Sequence, residues 1–131
     1  MRRVAVSASP EIAHERFEAL VERALDGLPA GVRKLLDNVA VVIEDEPTAE
    51  QLRDSDLAAD DTMYGLYEGV SITSYGADLM PFPNKITLFR LPLEEDFPDP
   101  VELAREVQKT VVHEVGHHAG IDEQRLHVLG F

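Results

Sequence analysis

Towards the end of the chain stands His113-Glu114-Val115-Gly116-His117, two imidazoles four residues apart with a carboxylate directly after the first. On an α-helix, positions i and i+4 project from nearly one face, so His113 and His117 can bind one metal ion together. Glu114 lies roughly 100° around such a helix from His113, beside the ion rather than on it, where its carboxylate can take a proton from an attacking water. Gly120 lets the chain leave the helix in a left-handed turn, and Glu123, three residues on, can then swing back as third ligand. Two His and one carboxylate leave a fourth tetrahedral position for water, whose pKa a zinc ion lowers to about 7. The chemistry implied is hydrolysis. In a chain this short a His-Glu-x-x-His match arises by chance well under ~1% of the time.

The neighbours leave alternatives. Asp122 can replace Glu123 as ligand if the turn shifts by one residue, and His118 or His127 can fill a fourth position, which would close the zinc site and make it structural. A non-catalytic zinc module, with the metal holding the fold or a partner interface, is therefore the rival reading. A carboxylate directly after the first His argues for catalysis, because a purely structural site does not need one. Tyr67, Tyr75, His118, Arg125 and His127 are candidates for stabilising an oxyanion, and nothing in the sequence selects among them. The chain has no cysteine, so any metal must be held by His, Asp or Glu.

Those residues need a scaffold. Val101, Leu103, Ala104, Val107, Val111, Val112, Val115 and Ala119 recur at helical spacing, with Asp99 as cap, Pro100 in the first position and Gly120 as stop. Ser9-Pro10-Glu11 starts an earlier helix, whose apolar face is Ile12, Ala13, Phe17, Leu20, Val21, Ala24 and Leu25 before Gly27 and Pro29 end it. A short helix is expected over 32–36, and another over 48–52 with Thr48 or Pro47 near its start. Val39–Glu44 is β-branched and nearly continuous, and reads as a central strand buried on both faces. Residues 63–72 read as a hairpin turning at Glu68-Gly69, and 75–84 as loop. Residues 85–91 alternate like a half-buried strand closed by Pro92, a possible sheet edge for an extended peptide, and 94–100 form an acidic connector.

Composition bounds the reading. A chain of 131 residues suits one domain over 1–131, and its 44% hydrophobic and 28% charged residues are those of a water-soluble globular fold. With 25 Asp and Glu against 12 Lys and Arg, the net charge of −13 repels phosphate backbones and anionic lipid, so neither nucleic acid nor membrane is an expected partner. The basic start Met1-Arg2-Arg3 runs into Ser9-Pro10 without a long apolar stretch, which is neither a signal peptide nor a span, and a cytoplasmic location is expected.

The stretch from His113 to Glu123 resembles the zincin-like minimal metalloprotease family of bacteria. Val41-Val42-Ile43-Glu44-Asp45-Glu46-Pro47, Gly65-Leu66-Tyr67-Glu68-Gly69 and Ile86-Thr87-Leu88-Phe89 are similar to segments of that family in the same order, so the resemblance covers most of the chain. It implies an α/β (α+β) class: a single compact zincin-like domain, a small mixed sheet beside the active-site helix, and zinc-dependent hydrolysis of a peptide or protein substrate. Zinc is preferred over iron, nickel or cobalt on the same ground. The family usually has Asp or Glu where Glu123 stands, whereas metzincins have His there and a later Met-turn, and this chain has neither. Met80 precedes the helix, and eight residues follow Glu123, so the C-terminal half of a larger zincin is missing and tight peptide binding by the monomer is not expected.

Overall fold

The computed structural model describes residues 10–37, 39–53, 63–69, 84–118, 120–121 and 123–131, with only the main chain at Pro10, Gly69, His118 and Glu123. Helix α1 (Pro10–Asp26) is followed by α2 (Ala30–Arg33) and a 3-10 turn (Lys34–Leu36). Strand β1 (Val39–Glu44), helix α3 (Ala49–Arg53), strand β2 (Gly65–Gly69) and strand β3 (Asn84–Phe89) come next. Helices α4 (Arg90–Asp96), α5 (Pro100–His118) and α6 (Glu123–Val128) complete the order. The architecture is α+β, a mixed sheet, three-stranded among the described residues, packed against helices.

Local chemistry explains the helix ends. Asp99 Oδ2 accepts the amides of Val101 at 3.1 Å and Glu102 at 3.0 Å, capping α5 behind Pro100 as its sequence predicts. At α3 the cap is reciprocal: Gln51 N donates to Thr48 Oγ1 at 3.0 Å, and Thr48 N donates to Gln51 Oε1 at 2.8 Å, a capping box. The Ser9 expected to cap α1 lies outside the described residues.

The strand order is β1-β3-β2, with β1 parallel to β3 and β2 antiparallel to it. This reverses two expectations. Val39–Glu44 lies at a sheet edge among the described residues, and every one of its residues is half-buried. The central strand is β3, where Ile86, Thr87, Leu88 and Phe89 are all buried. The polar alternation at Lys85 and Thr87 suggests a wet face, but only Lys85 has one, pairing across the strands with Glu68 at 3.8 Å. The Glu68-Gly69 turn is corrected too, since both residues lie within β2, opposite Lys85 and Asn84. The second hairpin strand and residues 75–83 lie outside the described residues.

The strand expected to run to Leu91 stops at Phe89, and Arg90 and Leu91 open α4. Pro92 is its third residue, a position whose amide has no intrahelical acceptor, so proline ends nothing there. Glu94 and Asp96 accordingly belong to this helix rather than to a connector. Buried Arg90 fastens the junction, its Nε donating to Asp45 Oδ1 at 3.0 Å and its Nη1 to Glu94 Oε1 at 2.7 Å. Ahead of β2, the Tyr64 hydroxyl donates to the Asp96 carboxylate, and that bond to a carboxylate pushes the Tyr64 pKa up to about 12.

Helix α5 carries the core. Leu103, Val107, Val111 and Val115 form a ridge at four-residue spacing that packs with Phe17, Val21 and Ala24 of α1, Ile86 and Leu88 of β3, and Leu93 of α4. Val112 joins a second cluster with Leu28, Val32 and Leu126, which seats α6 against the other flank. Ile12, expected on the apolar face of α1, is instead 45% exposed, five residues before Phe17, the first buried residue of that helix among those described.

The buried hydroxyl of Thr87 has no hydrogen-bond partner among the described residues. Burying such a group costs about 1–3 kcal/mol, so Thr87→Val, which keeps the shape and the β-branch, is expected to stabilise the fold by up to roughly that amount. Urea denaturation would show a higher midpoint at unchanged slope; a lower midpoint would mean that the hydroxyl has a partner in solution.

Candidate metal centre

The buried ridge of α5 fixes where its polar side chains go. At 100° per residue and with Val111 as zero, His113 falls at about 200°, His117 at about 240° and Glu114 at about 300°. The two imidazoles share an exposed stripe, and Glu114 sits on the flank between that stripe and the ridge that faces the sheet. Its carboxylate is half-buried there, and Oε1 accepts the main-chain N–H of Tyr67 on β2 at 3.1 Å. A group held in this way has one oxygen occupied by the sheet.

The helix then stops as its glycine demands. Gly120 has φ of +72°, its N–H donates to His117 O at 3.2 Å, and Ile121 N donates to Gly116 O at 2.7 Å. This is a Schellman closure, and the left-handed residue is the glycine expected to provide it. The reversal leads into α6, which begins at Glu123 and is anchored by buried Leu126. Glu123 is thereby the first residue of a helix that starts directly beyond the reversal. Its side chain and all of Asp122 lie outside the described residues, as does the side chain of His118.

Among the described residues no three His, Asp or Glu side chains form a metal-holding cluster. Within that set, His113 and His117 supply two imidazole donors on one exposed stripe, the donor type that suits zinc, and Glu123 opens the element that follows. The donor set fits zinc in kind.

Around His113 the surface is partly covered. The Phe131 ring meets the His113 imidazole edge-on, with centroids 6.5 Å apart and planes at 77°. Lys109, Leu126, His127 and Phe131 line a cleft beside His113. His127 and Arg125, candidates for an oxyanion donor, are both exposed on α6. Tyr67, a candidate through its phenol, packs that half-buried side chain against the core and reaches Glu114 through its amide instead. Tyr75 lies outside the described residues. The sequence reading misses Gly65 and Thr110, which face each other where β2 crosses α5; a Cβ built on Gly65 would lie 2.5 Å from Thr110 Cγ2.

A mixed sheet with an antiparallel strand beside a helix bearing His-Glu-x-x-His defines a zincin-like class of protein. The chain belongs to the zincin-like metallopeptidase family, whose sequence pattern matches residues 36–131. It is similar in fold to a conserved hypothetical protein of T. thermophilus, with a TM-score of 0.52 and 24% identity over 82% of this chain and 94% of that one. No curated protein sequence matches the chain. Among the described residues no helix is long and apolar enough to cross a membrane.

Proposed function

We propose that the chain is a zinc-dependent metallopeptidase that hydrolyses peptide bonds, with zinc held by His113, His117 and Glu123 and with Glu114 as general base. The observation that carries this reading is the division of labour on α5: two His on an exposed stripe, and between them in sequence a carboxylate turned to the sheet and bonded to a strand amide. A zinc ion in such a site supplies Lewis acidity and lowers the pKa of a water to about 7. Glu114 takes the proton of the attacking water and returns it to the nitrogen of the leaving amine. Family membership supports the reading.

The sheet suggests where a substrate lies. Phe89 N donates to Tyr64 O at 2.9 Å, which fixes the alternation of the antiparallel pair, so Gly65, Tyr67 and Gly69 direct their N–H and C=O groups away from β3. The Tyr67 N–H is taken by Glu114, so an extended peptide added to that side of β2 would pair with the remaining groups and pass Glu114. Among the described residues the edge strand for substrate is therefore β2, not residues 85–89, which lie in the central strand.

Zinc content after purification without added metal, with X-ray absorption to count the ligands, tests the reading. Near-stoichiometric zinc on two His, one carboxylate and one water is the expected result, together with cleavage in a peptide library. Four protein ligands and no cleavage would instead identify a structural zinc module, and failure to bind added zinc would overturn both.

A further inference from the structure

The carboxylate of Glu114 is held by a main-chain group, and main-chain groups are placed by whatever spaces the strand from the helix. We propose that Gly65 and Thr110 are positioning residues for Glu114. Their close approach brings the Tyr67 N–H onto Oε1 and leaves the second oxygen for the attacking water. This rests on the hydrolytic reading above and adds the device that sets its general base.

Tyr67 lies two residues after Gly65 on β2, and Glu114 four residues after Thr110 on α5. Two strand residues advance about 6.6 Å and four helical residues about 6.0 Å, so the pairs Gly65 with Thr110 and Tyr67 with Glu114 are successive rungs between elements that run side by side. At the first rung a Cβ on residue 65 would sit 2.5 Å from Thr110 Cγ2 and 3.3 Å from Thr87 O. Non-bonded carbons rest at about 3.5–4.0 Å, so with Thr110 in its present rotamer a side chain there forces β2 and α5 apart by about 1 Å. The second rung is a bond of 3.1 Å, which a displacement of that size breaks. Glycine at 65 is therefore required by the spacing between strand and helix. Thr110 sets the lower limit of that spacing, because its methyl fills the gap that the missing Cβ leaves.

A released Glu114 side chain regains its rotamers, and the general base then spends most of its time out of line with the water it must deprotonate. The defect should appear in kcat with zinc content kept, because the His pair on α5 is not altered.

Amide hydrogen exchange of Tyr67, followed by NMR on the full chain without substrate, reads the bond directly. In Gly65→Ala the Tyr67 amide is expected to exchange about tenfold faster, and kcat to fall by about the same factor. Adding Thr110→Ser in the same chain removes the clashing methyl and should restore both. Glu114→Ala, which leaves the backbone spacing alone, should also speed exchange at Tyr67. If Gly65→Ala fails to fold, the Gly65→Ala/Thr110→Ser chain decides, since recovery of its fold and of Tyr67 protection is what the spacing requires. The proposal is overturned by equal Tyr67 exchange in the wild type and Glu114→Ala, or by a folded Gly65→Ala/Thr110→Ser chain that stays as unprotected as Gly65→Ala. A chain that shows the exchange pattern but cleaves no peptide would overturn the hydrolytic reading and not the positioning contact.

Discussion

Glu114→Gln is expected to lower kcat by about 10²–10⁴-fold, the usual contribution of a positioned general base, with zinc content unchanged. The substitution is nearly isosteric, and Oε1 of the new amide can still accept the Tyr67 N–H that Glu114 accepts at 3.1 Å, so β2 and α5 keep their spacing. What is lost is the ability to take a proton. The variant thereby separates base chemistry from scaffold, which Glu114→Ala cannot do because it also removes the strand contact. Single-turnover cleavage with metal analysis on the same samples is the check. Turnover within twofold of the wild type at full zinc occupancy would remove Glu114 from the mechanism.

How much of this is legible in the sequence varies with how local the physics is. The α5 cap at Asp99, its stop at Gly120 and its apolar ridge are written within single segments, and each reads directly as the structure has it. The order of strands is not local. Val39–Glu44 is the more β-branched run, yet among the described residues it is the edge, because a strand's place depends on which neighbours reach it. Thr87 misleads for the same reason: a polar residue in alternation normally faces water, whereas here it is buried without a partner among the described residues. Pro92 reads as a strand terminator, but a prior helix start at Arg90 makes it harmless. In the site, spacing alone places His113, Glu114 and His117 on the helix. The Tyr67 amide is invisible because a main-chain donor carries no residue signature. Gly65 carries a faint one, a glycine inside a β-run, which in general marks close approach of another backbone or side chain.

Removal of one imidazole is the harsher test of the metal centre. His117→Ala leaves at most one His on the stripe of α5, and a zinc site that loses a ligand of a three-residue set is expected to retain less than about a tenth of its metal after gel filtration. Binding to the native state alone stabilises by RT ln(1 + [L]/Kd), about 2.7 kcal/mol at a hundredfold excess over Kd, so zinc should raise the melting temperature of the wild type and not that of the variant. The exposed position of His117 means that truncating its side chain opens no core cavity, and the metal-free variant, melted alongside the metal-free wild type, supplies its own baseline. The same assay separates the two carboxylates at the reversal. Glu123→Gln should behave like His117→Ala if the first residue of α6 supplies the third ligand. Asp122→Asn should do so instead if the turn presents the preceding residue. Zinc-dependent stabilisation that survives in His117→Ala would place the ion elsewhere on the acidic surface and leave α5 without a metal role.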